Sequence, residues 1–106
     1  MAKKLLEYTN EEALEKLADI MDPISEIAGD KRFKIAYKES KIAGVKILLK
    51  HHNSALIDVL ASYEGVAREE FSANAVQIIA MALRLFNDKE MMSVFTLPGQ
   101  NEASST

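Results

Sequence analysis

The sequence predicts an all-α protein: a compact single-domain bundle of five to six helices closed by a short polar tail. Three observations carry this expectation. Apolar residues recur at three- and four-residue spacing over most of the chain, and no run alternates with the two-residue period of a half-buried strand for long enough to matter. The punctuation is helical as well, with capping residues ahead of the apolar runs and glycines behind them. A chain of 106 residues forms one domain, hiding somewhat under about 70% of its unfolded surface. The apolar content predicts a helical domain over residues 1–97 and a flexible tail over 98–106, where Pro98-Gly99 cuts off the last apolar cluster.

The elements follow in order. Thr9 stands at an N-cap with Glu12 three residues on, the spacing of a capping box, and the helix behind it carries Leu14, Leu17, Ile20 and Met21 on one side. Asp22-Pro23 reads as a new cap with proline at the first helical position, opening a short helix with Ile24 and Ile27 that stops at Gly29. The longest helix is expected from about Lys31 to His51. Projected at about 100° per residue, Phe33, Ala36, Tyr37, Ser40, Ala43, Gly44, Ile47 and Leu48 share its inner face. Gly44 costs about 1 kcal/mol relative to alanine in a helix interior, so either close packing or a local kink is expected there. His51-His52 end this helix, and Asn53 or Ser54 caps the next, SALIDVLASYEG, which turns Leu56, Ile57, Val59, Leu60 and Tyr63 inward and closes at Gly65. The connector VAREEFSAN has Phe71 as its one large apolar anchor.

The helix from about Asn74 to Asn87 is apolar around most of its circumference, with Gln77, Arg84 and Asn87 as its polar stripe. So small a domain has difficulty covering such a helix completely, and part of its surface is expected to meet another molecule. Asp88 caps a last short helix on which Met91, Met92 and Phe95 are expected to form an adaptable face, because unbranched thioethers fit irregular partners.

Charge is distributed unevenly. Residues 1–30 carry 3 basic and 8 acidic side chains, residues 31–50 carry 7 and 1, and residues 51–106 carry 3 and 7, for a net charge of −3. The basic block, with Lys31, Arg32, Lys34, Lys38 and Lys41, has two readings. It is either a nucleic-acid-binding stripe or a solvated helix face set against acidic neighbours of the same fold. The acidic flanks, and the lack of aromatics interleaved for base stacking, favour the second.

No catalytic, metal or cofactor chemistry is expected. There is no cysteine to act as thiolate ligand or nucleophile. Adjacent His51 and His52 diverge on a helix, whereas zinc-binding helices use spacings of three or four. Glu69-Glu70 and Glu11-Glu12 have no partner to separate their pKa values, and no Gly-rich phosphate loop or nucleophile elbow appears. The N-terminus lacks a signal-peptide apolar region, and the run from Ala75 to Phe86 is well short of the roughly 20 residues of a membrane span. These features lead to the expectation of a soluble, intracellular protein.

The stretch ALIDVLASYEGVAREEFSANAVQIIAMALRLFNDKEMMSVF resembles the small tail assembly chaperones of siphoviruses and prophages of Gram-positive bacteria. The shared pattern is a helix ending at Glu-Gly, a short acidic connector with one aromatic, a strongly apolar helix, and an Asn-Asp capped helix ending in phenylalanine. A brief Ser/Thr/Gln-rich tail follows. The resemblance covers residues 55–106, and the first half only in general helical character. It implies a non-catalytic chaperone that shields the helix-rich tape measure protein, helps recruit tail tube subunits, self-associates, works in the host cytoplasm without cofactor, and is left out of the finished virion. It also implies that the tail serves as a linker in a longer form made by ribosomal slippage. The partner-binding residues expected on this reading are Phe71, Ile78, Ile79, Met91, Met92 and Phe95. The alternative is a small helical nucleic-acid-binding regulator using the basic helix.

Overall fold

The computed structural model describes residues 3–96; Leu97 and the expected polar tail at 98–106 lie outside the described residues. Among the described residues there are seven α-helices and no strand. They are α1 (Asn10–Asp19), α2 (Met21–Ala28), α3 (Lys31–Glu39), α4 (Lys41–His51), α5 (Asn53–Glu64), α6 (Ala75–Phe86) and α7 (Lys89–Phe95). Single 3-10 turns at Leu5–Glu7 and Arg68–Glu70 precede α1 and α6. The shortest dimension is 21 Å, room for two layers of helices about 10 Å across.

The helix expected over Lys31 to His51 is two helices. Ser40 is fully extended (φ −166°, ψ 152°), ending α3 and capping α4 through its hydroxyl, which accepts from the Ala43 amide at 3.0 Å. A serine competes with helical hydrogen bonds in this way wherever the cap position is available. The break lets α4 fold back on α3, and that closure explains Gly44. A β-carbon there would lie 3.2 Å from both Phe33 Cε1 and Tyr37 Cβ. The close approach expected at the small residues is therefore made against the first half of the same expected helix.

Three caps also differ from expectation. Thr9 occupies the N-cap of α1 but its side chain makes no capping bond, because the helix opens with Asn10 at φ 55°, a left-handed conformation that asparagine tolerates. Leu14, expected inward, is 69% exposed. Helix α2 starts at Met21 and places Pro23 in its third position rather than its first; proline is tolerated there because first-turn amides have no intrahelical acceptor. Asn53 is the first residue of α5 rather than its cap, and its side-chain Nδ2 donates back to the Leu49 carbonyl at 3.3 Å.

Elsewhere the punctuation is as read. Gly29 ends α2. Gly65 ends α5 in the left-handed conformation (φ 78°), with its amide on the Ser62 carbonyl and the Val66 amide on the Ala61 carbonyl, the paired bonds of a Schellman motif. The N-terminal segment crosses that glycine so closely that a β-carbon would fall 2.8 Å from the Lys3 and Lys4 backbone. Asn74 and Gln77 form a reciprocal capping box on α6, and Asp88 caps α7 by accepting from the Glu90 and Met91 amides.

The core lies where α2, α4, α5, α6 and α7 meet, built from Ile24, Ile27, Val45, Leu48, Leu56, Val59, Leu60, Leu85 and Met91, all essentially inaccessible. Phe33, Tyr37 and Phe86 form an aromatic triangle, with centroid separations of 5.4–5.7 Å, that fastens α3 to the end of α6. Lys41 donates to the Asn87 side chain at the same junction. Tyr63 Oη donates to Asp88 at 2.7 Å, joining α5 to the cap of α7. Burial and that carboxylate push the phenol up to about 12, and the phenol hydrogen bond holds Asp88 below the usual carboxylate range.

Candidate functional site

The second half of the chain builds a groove. Once Gly65 has turned the chain out of α5, the connector runs beside α6 before entering it at Asn74. Arg68 ties the connector back to α5, its Nε donating to Asp58 at 2.7 Å. Phe71 is half-buried against the core. Between this strap and α6 lies an open depression of about 540 Å³, within the range of ligand-binding clefts. Val66, Phe71 and Ala73 line its connector side, and Ala80 and Met81 its helix side. Glu64 and Arg84, paired at 3.1 Å, stand at its edge together with Glu70.

Helix α6 is covered on one side only. Ala82, Leu85 and Phe86 are buried, and Ile78, Ile79, Met81 and Leu83 are half-buried against the core. Its outer stripe runs through Val76, Gln77, Ala80 and Arg84, with Val76 76% exposed. This uncovered apolar surface borders the groove.

The residues expected to bind a partner are divided by the fold. Phe71 lines the groove, while Ile78 and Ile79 are partly accessible on α6. Met91 and Phe95 are core residues, 0% and 5% exposed, so the adaptable face expected on α7 does not exist as a surface; Met92, half-buried, is what remains of it. The reason is that α7 packs inward against α2 and α6, turning the side bearing positions 91 and 95, one helical turn apart, into the bundle. Val66, Ala73, Ala80 and Met81 belong to the groove without having been singled out as partner-binding. Alanines at helical spacing beside Gln77 and Arg84 are the sequence signal for them, and it is faint.

The basic block is also divided. Lys31, Arg32, Lys34 and Lys38 belong to α3, while Lys41 begins α4 after the Ser40 break. Arg32 grips Asp30 through Nε and a terminal nitrogen at 3.1 and 2.9 Å, and Lys41 is engaged with Asn87. Lys31 and Lys38 are exposed and Lys34 is half-buried. A single continuous lysine stripe is not formed, because one helix axis does not carry all five residues.

The second histidine has a role that its position in the sequence did not reveal. His52, at the α4–α5 joint, lies between two carboxylates, with Nδ1 2.7 Å from Glu26 and Nε2 2.6 Å from Asp30. With both ring nitrogens engaged, neither is left to take a proton from a substrate. No sequence spacing pairs residues 26 and 30 with 52; the bundle does. Among the described residues, no group of three metal-ligating side chains is placed to hold an ion, and no helix is long and apolar enough to cross a membrane.

Comparison with protein-family models, with curated proteins and with solved structures gave no match to this chain.

Proposed function

We propose that this protein is a non-catalytic assembly chaperone of the phage tail type, holding an apolar helical segment of a tape measure protein until tube subunits assemble around it. The observation that carries the reading is the groove between the connector and α6. Val66, Phe71, Ala73, Ala80 and Met81 give it an apolar lining, interrupted by Ser72 and Gln77 and flanked by Glu64, Glu70 and Arg84, and its frame is bridged by the Arg68–Asp58 pair and the Asn74–Gln77 box. A helix laid against another helix needs such a channel with an apolar floor and a polar rim. The resemblance over residues 55–106 supports the same reading, because residues within that stretch, from Glu64 to Arg84, supply both walls.

The client-binding residues on this proposal are Val66, Phe71, Ala80 and Met81, with Ile78, Ile79 and Met92 at the margin. Tube subunits and further copies of the chain are additional partners, bound at other surfaces. The site of action is the host cytoplasm, and no cofactor takes part.

The test is sedimentation of the full chain with a recombinant helical fragment of a tape measure protein, using Ala80→Arg to fill and charge the groove. Leu14→Arg, at an exposed site on α1, is the control. The proposal expects co-sedimentation of wild type and control, at least tenfold weaker association for Ala80→Arg, and unchanged helical circular dichroism throughout. Full association by Ala80→Arg would refute the groove as the site. Failure of wild type to bind any fragment, together with submicromolar DNA binding at physiological salt that is lost in Lys34→Glu/Lys38→Glu/Lys41→Glu, would replace the chaperone with a nucleic-acid-binding regulator.

A further inference from the structure

The surroundings of His52 specify its charge. A neutral imidazole has one nitrogen that donates and one that only accepts, and a bare nitrogen facing a carboxylate oxygen would oppose two lone pairs. Here both nitrogens lie within 2.7 Å of carboxylate oxygens, so a proton must stand in each gap. Asp30 cannot be the source of the second one. Its carboxylate already accepts from Arg32 Nε, from a terminal guanidinium nitrogen and from the Arg32 backbone amide at 2.8 Å, all of which hold it ionised. The Glu26 side chain is 52% exposed, so water solvates the charge of its carboxylate. Both protons therefore belong to the ring.

We infer that His52 is a standing imidazolium at neutral pH, and that with Glu26 and Asp30 it forms a charge clamp that fastens the α2–α3 corner to the α4–α5 joint and releases on the alkaline side. The elements it joins follow from the contacts. Glu26 comes from the last turn of α2, Asp30 is the N-cap of α3, and His52 sits where α4 ends and α5 begins. The other charged or titratable side chains carried by these elements beside the three are Arg32, bound to Asp30, and the exposed Lys31, Lys50 and His51. His52 is both the C-cap of α4 and the N-cap of α5, so the opposed poles of the two helices meet at this residue and its charge is set by the two carboxylates. Asp30 is the stronger arm, since its side chain is 9% exposed against 52% for Glu26.

The direction of the pH dependence is fixed by this arrangement. Burial alone would lower the histidine's pKa, but the hydrogen bonds to Asp30 and Glu26 outweigh it and hold the group above its ordinary 6.5. Stability from the clamp is fully present below that value and is lost as pH rises through the folded-state pKa. For each unit of separation between the two, the folded-to-unfolded ratio drops about tenfold.

The test begins with the unmodified chain, so it does not depend on any variant folding. A long-range proton–nitrogen correlation spectrum at about pH 7.5, one unit above the ordinary imidazole value, should show both His52 ring nitrogens protonated. A spectrum with one bare nitrogen at that pH would overturn the inference. The titration followed further should move down in Asp30→Asn and move less in Glu26→Gln. Equal and unshifted titration in both variants would likewise overturn it. Urea midpoints should decline above pH 6.5 for wild type and stay flat for His52→Gln, and matching declines in the two would place the pH dependence elsewhere. If Asp30→Asn does not fold, the wild-type spectrum and Glu26→Gln decide.

Discussion

Replacing Gly44 by leucine tests the packing of α3 on α4 directly. The crossing is closed on the side where a new side chain would grow. A bare β-carbon already lies 3.2 Å from Phe33 Cε1, 3.2 Å from Tyr37 Cβ and 3.3 Å from Tyr37 Cα, tighter than ordinary van der Waals contact at about 3.5–4.0 Å. Alanine therefore needs the facing helix to give by a few tenths of an ångström. That strain sets itself against a helix-propensity gain of about 1 kcal/mol, and Gly44→Ala should stay within about 1 kcal/mol of wild type. Leucine has no such option, because the isobutyl group must push past the Tyr37 backbone or displace the Phe33 ring from its triangle with Tyr37 and Phe86. Overpacking of this kind costs about 1–3 kcal/mol. With a urea slope of about 1–1.5 kcal/mol per molar for a domain this small, the midpoint should fall by about 0.7–3 M. The assay is urea unfolding followed by circular dichroism. Phe33→Ala alone should cost about 3–5 kcal/mol, and the double variant should lose less than the sum of the two single losses, since the alanine vacates the space the leucine needs and the two changes share one contact. An unchanged midpoint for Gly44→Leu, or full additivity with Phe33→Ala, would refute the close crossing.

Gly65→Ala should destabilise by about 1–2 kcal/mol from the left-handed backbone alone and by more from the collision with the Lys3 and Lys4 backbone, again read as a urea midpoint. Asp88→Ala removes the cap of α7 and the acceptor of Tyr63, and should cost about 1–2 kcal/mol; Tyr63→Phe should cost less, because Asp88 keeps its bonds to the Glu90 and Met91 amides. The Asp88 contribution should be present above its ordinary 3.8 and be lost as pH falls through the depressed folded value, so acid unfolding should differ between wild type and Asp88→Ala. Met91→Asp should unfold the domain, placing an unpaired charge in a fully buried site, whereas Met92→Asp should leave the helices intact by circular dichroism.

What the sequence made legible was whatever depended on near neighbours. The Asp88 cap, the Gly65 stop, the span of α6 and the inward turn of Leu56, Val59, Leu60 and Tyr63 are set by residues a few positions apart and stand in the structure as read, whereas Ile57, also expected inward, is half-buried outside the core cluster. The break at Ser40 was illegible because the apolar pattern passes through it without losing phase. Only the return of Gly44 onto Phe33 and Tyr37 makes an extended serine favourable, and that is a tertiary gain. The fate of Met91 and Phe95 was hidden for the same reason: an amphipathic seven-residue helix states which of its faces is apolar but leaves open what covers that face. His52 belongs to a third kind. Its two carboxylates come from residues 22 and 26 positions away, and no local rule connects them.

On the proposed function, the inward turn of α7 changes where a client would have room to bind. With Met91 and Phe95 absorbed into the core, the last helix offers little apolar surface, and the uncovered part of the strongly apolar half shifts to the N-terminal turns of α6. Val76 is exposed there, Ile78 and Ile79 are only partly covered, and Ala80 and Met81 open onto the groove beneath the connector. This surface is bounded on one flank by a strap that Arg68 and Asp58 hold in place and at one end by the reciprocal Asn74–Gln77 box. A frame fixed before binding reduces the ordering cost that association must overcome. On the proposed function, a client helix would lie alongside α6, where frame and apolar floor coincide, rather than across the end of the domain, and charge introduced at Ala80 should weaken binding more than charge introduced at Met92.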